Sequence, residues 1–222
     1  MYREGRGVAK DEVEALKWER KAADSGDVNS QMHLATMYYE GRGVAKDEAE
    51  AVKWYRKAAD QGHAGAQFNL GRAYAHGRGV ARDDVEAVKW YRKAADQGDV
   101  NAQITLAFMY GEGRGVVKDD AEALKWYRKA ADQGHALAQY LVGASYDLGR
   151  GVAENDAEAA KWYRKSADQG DASGQFGLGT SYEYGQGVVK DEAEAVKWYR
   201  KSAQGGHPLA KAALKRLGKS EF

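Results

Sequence analysis

The chain has 222 residues, of which 34 are Lys or Arg and 33 are Asp or Glu, so its formal net charge at pH 7 is +1. Because positive and negative residues are almost equal in number, the composition excludes the broad basic surface that general nucleic-acid binding or attraction to anionic lipid needs. The absence of Cys excludes disulfides and thiolate metal sites. No run of about 18 apolar residues occurs, so we expect no nucleic-acid partner and no direct membrane insertion.

The first ten residues, MYREGRGVAK, lack the apolar segment of an export signal. As given, the sequence therefore predicts a cytoplasmic protein. A periplasmic location is the alternative if a signal peptide precedes Met1.

The sequence repeats itself every 36 residues. Trp, Tyr and Gly-x-Gly-Val segments all recur at this interval in a constant phase, for example between Trp18 and Trp54 (54 − 18 = 36). The repeated tryptophans are Trp18, Trp54, Trp90, Trp126, Trp162 and Trp198. Self-similarity at a fixed period along the whole chain is typical of arrays of one supersecondary unit.

The segment from residue 47 to 62 predicts one helix of this unit, which we name helix B. Asp47 is a suitable N-cap, and Glu50, three residues later, completes a pattern like a capping box. Ala51 and Trp54 share one helix face. Gly62 can adopt the left-handed conformation that ends a helix.

The next segment, residues 64–76, predicts a second helix, helix A. Gln67, Leu70 and Tyr74 lie on one of its faces. Small residues recur beside that face and predict a close approach between helices. They are Ala35, Gly71, Ala107, Gly143 and Gly179. Gly77 is expected to end helix A.

Helix pairs this short bury too little surface to be stable alone, so neighbouring pairs must stack. We therefore interpret the tryptophans as core between helices. An exposed ladder for stacking bases would need basic companions, whereas each Trp shares its stripe with alanines. The predicted fold is an all-α solenoid of about twelve helices in one domain, 1–222. Its parts are 1–26 (a partial repeat with helix B only), 27–206 (five full A–B repeats) and 207–222 (a C-terminal capping helix).

The pattern AxxxLGxxYxxGxGVxxDxxEAxKWYRKAAxQGH, seen most fully in residues 66–99, resembles the SEL-one-like repeat (SLR) family, a relative of the tetratricopeptide repeat. The resemblance covers essentially the whole chain. It implies a right-handed superhelix of antiparallel helix pairs with helix A on the concave side, and adaptor or regulatory roles in complexes. Some secreted, Cys-rich bacterial relatives are described as β-lactamase-like, and because this chain has no Cys we do not transfer that activity.

Positions on helix A that differ between repeats are free to specialise. They project from the helix opposite the face of Gln31, Leu34 and Tyr38. The candidate partner-binding residues are Asn29, His33, Thr36, Glu40, Asn69, Arg72, His76, Thr105, Phe108, Glu112, Leu141, Leu148, Thr180 and Tyr184. Because exposed apolar patches commonly mark interaction sites, Phe108 and Leu141 predict a groove for a peptide or a partner's helix or loop. The alternative is that these are tolerated surface residues.

The other polar patterns are interpreted as structural. Each Gly-Arg-Gly-Val segment follows a helix and lacks a phosphate-loop pattern, so it predicts a turn whose Arg pairs with acids of helix B. His63, His135 and His207 begin helix A in alternate repeats and are expected either to cap it or to pack in the loop, being too far apart to share a metal. The sequence predicts no catalytic residue, no cofactor and no metal site.

The two ends differ from the interior repeats. Pro208 is predicted to be the first residue of the last helix, and Glu19, where Tyr55 stands one repeat later, predicts exposure to water. Met1 aligns with an internal Met37, which favours a start within a longer array. An uncovered first helix could then associate head-to-tail, through residues 11–25 of one molecule and 208–217 of another.

The resulting functional prediction is a protein-binding scaffold or adaptor in a signalling, secretion or envelope-associated complex, and not an enzyme. Alternatives are an immunity or inhibitor protein for a bacterial effector, a β-lactamase-like hydrolase, and a structural spacer. A solenoid fold alone does not decide among them.

Overall fold

The computed structural model describes residues 11–219. Over that range it contains twelve α-helices and no strand, which confirms the predicted all-α repeat fold. The helices are α1 (Glu12–Asp24), α2 (Val28–Glu40), α3 (Glu48–Asp60), α4 (Ala64–His76), α5 (Asp84–Asp96), α6 (Val100–Glu112), α7 (Asp120–Asp132), α8 (Ala136–Asp147), α9 (Asp156–Asp168), α10 (Ala172–Tyr184), α11 (Glu192–Gln204) and α12 (Ala210–Arg216). Odd-numbered helices correspond to helix B and even-numbered helices to helix A.

The helix B N-terminus is capped by one side chain rather than two. The Asp47 carboxylate accepts a hydrogen bond from the backbone N–H of Glu50 at 2.9 Å, as predicted. The expected return contact from Glu50 is absent, because the backbone N–H of Asp47 already donates to the carbonyl of Tyr38 at 2.9 Å. The Glu50 carboxylate instead accepts from Trp54 Nε1 at 3.0 Å and from Lys53 Nζ at 2.8 Å. Glu50 therefore orients the core tryptophan one turn later.

Histidine caps helix A in two of the three predicted places. The Nδ1 atoms of His63 and His135 accept from backbone N–H groups three residues later, at 3.1 Å and 3.4 Å. His207 does not cap a helix but packs from the loop, which is the alternative expected for it, whereas the prediction that Pro208 begins the last helix was wrong. Residues 208–209 form a turn, α12 begins at Ala210 without a side-chain cap, and the His207 ring stacks on the Phe176 ring at 4.3 Å.

The two glycines of each Gly-x-Gly-Val turn perform different tasks. Gly77 ends α4 in the left-handed region at φ +66°. Gly79 also has positive φ, and a Cβ there would lie 2.0 Å from the Glu48 carbonyl oxygen. The second glycine therefore lets the turn pack directly on the first residue of the preceding helix B.

The arginine of this turn has no single partner. Arg114 pairs with the helix B acid Asp84 at 2.8 Å, as predicted. The prediction was wrong for Arg42, which pairs with Glu40 of helix A at 2.7 Å. Arg78 instead donates to the Tyr39 hydroxyl. The arginine therefore contacts an acceptor of its own repeat in one case and of the preceding repeat in the other two.

Five of the six tryptophans are buried, as predicted. Trp90 shows the reason, because the Arg56 guanidinium of the preceding helix B lies 5.9 Å from its ring centroid and the Lys93 ammonium lies 3.9 Å away. Trp18 is 55% exposed, which contradicts its predicted place in the core. No helix precedes α1 within the described residues to cover that ring.

A buried glutamine joins α4 to the helices B before and after it. Gln67 Nε2 donates to the Ala59 carbonyl at 3.1 Å, and Gln67 Oε1 accepts from Gln97 Nε2 at 2.7 Å. In the last full repeat the donor position is Gly205, and the buried Gln175 Oε1 has no hydrogen-bond partner. The loss of one side chain at the array's end thus leaves a buried acceptor unsatisfied.

The small residues of helix A accept the tyrosine that follows Trp. A Cβ on Gly71 would lie 2.8 Å from the Tyr91 ring, and one on Gly143 would lie 2.7 Å from the Tyr163 ring. The predicted close approach is therefore between helix A and an aromatic ring of the next helix B.

The helices group into two compact units. The described part of the first unit comprises 11–106 with 114–117, and that of the second comprises 107–113 with 118–219. The first has a core that includes Leu34, Trp54, Tyr55, Leu70 and Trp90. In the second, residues of α10, α11 and α12 form a cluster around Val196, Tyr199 and Leu214. The division into 1–26, 27–206 and 207–222 stays a prediction.

Candidate partner-binding surface

The fourteen candidate residues, here called the helix A face, are all exposed or half-buried. Phe108 is 48% exposed, and Leu148 and Tyr184 are also among the exposed large apolar residues. The structure distributes some of these fourteen residues among three pockets, each within one unit, and uses others in internal contacts.

The first pocket, which we name the basic pocket, gathers Asn69, Arg72 and His76 of α4 with Tyr39 and Arg78. The cavity is small, about 30 Å³. Burial and then the charges of Arg78 and Arg72 hold the pKa of His76 below its ordinary 6.5. Near neutral pH the permanent positive charge of this pocket therefore comes from its arginines.

Three of the four candidate residues of α2 make contacts with other residues of the chain. His33 Nδ1 lies 3.4 Å from Glu19 Oε1, and Glu40 pairs with Arg42. Thr36 Oγ1 donates to the carbonyl of Met32 at 3.0 Å. Glu19 was predicted to be exposed to water, but only 21% of its side chain is exposed, and His33 lies beside it. Asn29 is exposed outside the pockets described here.

The second pocket, which we name the Phe108 pocket, lies within the second unit. Phe108 and Glu112 of α6 line a cavity of about 230 Å³ with Leu141 of α8 and Tyr127 of α7. Burial raises the pKa of Tyr127 to about 12, so its hydroxyl stays protonated near neutral pH. Thr105 is not part of this pocket, and its Oγ1 donates to the Asn101 carbonyl at 2.8 Å.

The third pocket, which we name the acidic pocket, contains Thr180 and three residues that the sequence interpretation missed: Asp147, Tyr163 and Gln186. Its volume is about 140 Å³. The Tyr163 hydroxyl donates to Asp147 Oδ2 at 3.1 Å. Tyr184 lies outside the lining and is 57% exposed. An acid recurs at the Asp147 position one repeat later, and that signal could have identified it from the sequence.

The repeat assignment rests on an independent family model. The Sel1 repeat matches residues 1–27, 28–63, 64–99, 100–135, 136–171 and 172–207, and so spans most of the chain. The chain belongs to the Sel1 repeat family. Sel1 proteins are generally non-catalytic repeat scaffolds that bind other proteins.

Two crystal structures of Sel1-type proteins resemble this chain over most of its length. One is a protective antigen of uropathogenic Escherichia coli with an SLR fold, 41% identical with a TM-score of 0.95, which covers 100% of this chain. This chain spans only 47% of that antigen. The other is a Sel1 repeat protein from Oxalobacter formigenes, 37% identical with a TM-score of 0.84, covering 90% of this chain and 85% of its own. No curated protein matches this sequence.

A third structure carries a functional description. An immunity protein from Pseudomonas aeruginosa is 25% identical with a TM-score of 0.51, and the match covers 91% of this chain and 80% of that protein. Immunity is thus one role taken by a protein with this type of repeat.

The described part of this Sel1 chain contains neither a metal-ligating cluster nor a membrane-spanning helix. Among residues 11–219, no three His, Asp or Glu side chains are grouped so that they could hold a metal ion. No helix in that range is both long and apolar enough to cross a bilayer.

The ends of the described array each expose apolar side chains. Val13 and Trp18 are exposed on α1, and Leu209 is exposed just before α12. Head-to-tail association through residues 11–25 and 208–217 stays a prediction.

Proposed function

We propose that this Sel1 chain is a protein-interaction module that binds a protein or peptide partner on its helix A face, as an adaptor in a signalling, secretion or envelope-associated complex. The observation that supports the proposal most is the location of the positions whose residues differ between repeats. The stacking residues recur, whereas the pockets on helix A differ in charge and size from one repeat to another.

The chemistry of these pockets suits side-chain recognition. Phe108 and Leu141 offer apolar surface beside the charged Glu112, and Arg72 and Arg78 supply positive charge in the basic pocket. A partner that contacts such pockets would be recognised through several side-chain contacts at once. Apolar anchors surrounded by polar groups are typical of energetically important interface positions.

Affinity capture with a matched control tests the proposal. The Phe108→Ala/Arg72→Glu variant removes one apolar anchor and reverses one charge on the helix A face. The Val117→Ala/Arg200→Glu variant makes the same types of change at exposed residues elsewhere. We expect wild type and control to retain a common protein that the helix A variant loses, with all three chains equally stable.

Other outcomes would replace this function. If both variants retain the same proteins, the helix A face is not the binding surface. If none of the three chains retains a protein, a spacer role is favoured. Turnover of chromogenic β-lactam or ester substrates, lost in the helix A variant, would instead establish a hydrolase.

A second candidate function is that of an immunity or inhibitor protein for a bacterial effector. It is favoured by the similarity to the Pseudomonas immunity protein. In this case the captured partner would be one enzyme, and adding this chain at an equal molar amount would abolish its activity. A captured partner that is not an enzyme, or an enzyme that remains active when saturated, would favour the general adaptor.

A further inference from the structure

The Asp147 carboxylate contributes negative charge to the acidic pocket without a basic partner. Its Oδ2 accepts one hydrogen bond, from the Tyr163 hydroxyl at 3.1 Å, and no Lys, Arg or His within residues 11–219 pairs with it. The rings of Tyr140, Tyr163 and Phe176 line the same cavity. A volume of about 140 Å³ is well above the roughly 10–15 Å³ that one water-sized probe needs. The pocket therefore combines free space, aromatic walls and an acidic group.

The same arrangement occurs one repeat later, and there it holds a guanidinium. Glu183 occupies the position of Asp147 (183 − 147 = 36), and Tyr199 occupies that of Tyr163. The Tyr199 hydroxyl donates to Glu183 Oε2 at 2.7 Å. Arg216 Nη2 lies 2.7 Å from each carboxylate oxygen of Glu183. The protein thus contains a filled version of the acidic pocket.

Two substitutions leave the Asp147 site without such a cation. The residue one repeat before Arg216 is Thr180 (216 − 36 = 180), whose short side chain carries no charge. The turn position that carries Arg in the other Gly-x-Gly-Val segments is Gln186, which lines the pocket as a neutral group. Neither position therefore supplies a positive charge at this repeat.

The basic pocket, three repeats earlier, carries positive instead of negative charge at the equivalent repeat positions. Arg72 and Arg78 stand where the acidic pocket has Thr180 and Gln186, and Tyr39 replaces the acid. The basic cavity measures about 30 Å³, compared with about 140 Å³ for the acidic one. The two cavities therefore differ in both charge and size although they occupy equivalent repeat positions.

We propose that the acidic pocket binds a cationic side chain of the partner protein, with the guanidinium of arginine in the place that Arg216 occupies one repeat later. A planar guanidinium can donate two hydrogen bonds to one carboxylate and stack on aromatic rings, which a lysine ammonium does less well. The proposal rests on the proposed function, because the arginine belongs to a bound protein.

A small probe tests the pocket without the partner. We would titrate N-acetyl-arginine amide and its neutral analogue, N-acetyl-citrulline amide, into the full chain and follow the NMR signals of Tyr163 and Thr180. We expect saturable shifts with the arginine probe and about tenfold weaker binding of the citrulline probe, since bonds between charged groups are the stronger ones. Asp147→Asn should weaken arginine binding by a similar factor. Equal binding of both probes, or binding unchanged in Asp147→Asn, would overturn the proposal.

A variant that fills the pocket provides a second, independent measurement. Thr180→Arg should reproduce the Arg216 contact, raise the melting temperature and abolish probe binding. The gain in melting temperature should vanish when Asp147→Asn is added, and Thr180→Gln should not produce it. A gain that is independent of Asp147 would contradict the assignment. If these tests fail while the Phe108→Ala/Arg72→Glu variant still loses its partner, only the arginine pocket is refuted and the proposed function stands.

Discussion

The basic pocket of the first unit and the acidic pocket of the second are built on the same repeat positions but carry opposite charge. In both, a helix A of small and apolar residues packs on the tyrosine of the following helix B, as Gly71 does on Tyr91 and Gly179 on Tyr199. The charge is decided by a few side chains that take no part in this packing. The Sel1 repeat thus provides equivalent pocket positions in both units, while exchangeable residues decide the charge that each pocket carries.

The largest effect should come from breaking the shared frame. Trp90→Ala in the first unit and Trp162→Ala in the second should each reduce the free energy of unfolding by about 3–5 kcal/mol, because both indoles are buried. Trp18→Ala serves as the control and should cost less than about 1 kcal/mol, since that ring is largely exposed. Denaturant titration of the three variants measures these differences. Markedly unequal costs for Trp90 and Trp162 would mean that the two units do not share one frame.

An intermediate effect is expected where the acidic arrangement is already filled. Glu183 is buried, and although burial opposes its ionisation, its bonds from Tyr199 and Arg216 hold its pKa below the ordinary 4.5. Glu183→Gln should therefore reduce stability by about 1–2 kcal/mol, a value discounted because Arg216 is half exposed.

The same carboxylate makes this contribution dependent on pH. Because the folded state has the lower pKa, the stabilisation is complete above pH 4.5 and is lost as the pH falls through the lowered value. Thermal unfolding of wild type and Glu183→Gln should therefore converge in acid. A difference between the two that stays constant from pH 7 to pH 3 would contradict this assignment.

The smallest effect concerns the charge of the basic pocket. Arg78→Gln introduces the residue that the acidic pocket carries at this position and removes one of the cations that disfavour protonation of His76. We expect the pKa of His76 to rise toward 6.5 while staying below it, because burial is the larger cause of its lowering. An NMR titration of the His76 ring measures this pKa. A pKa that falls or stays unchanged would show that Arg78 does not act on this histidine.

Much of the fold could be predicted because the same sequence pattern recurs in each repeat. The predicted helix 64–76 coincides with α4, and Asp47 and Gly62 mark the limits of helix B as expected. Errors arose where a repeat residue loses its usual neighbour. Trp18 has no earlier described helix to cover it, and Pro208 lies in a turn before a shortened α12.

The sequence could predict the helix face on which the candidate residues lie, but not the pockets that they form. The fourteen residues were chosen from one face of helix A, and none of them is buried. Asp147 lies at the C-terminal end of its helix, and Tyr163 and Gln186 belong to neighbouring elements. Those contacts depend on how helices pack, which helical periodicity within one segment cannot reveal. Arg216 could be related to Thr180 by counting repeats, but its contact with Glu183 required the structure.

Photo-crosslinking in living cells tests the binding surface most directly. Benzoylphenylalanine would replace Phe108 or Tyr184 on the helix A face, and in separate chains Val117 or Val189, which are both 88% exposed elsewhere. We expect one common protein to be crosslinked from positions 108 and 184 and not from 117 or 189. Crosslinking from 117 or 189 while 108 and 184 remain silent would contradict the account and move the binding surface away from helix A.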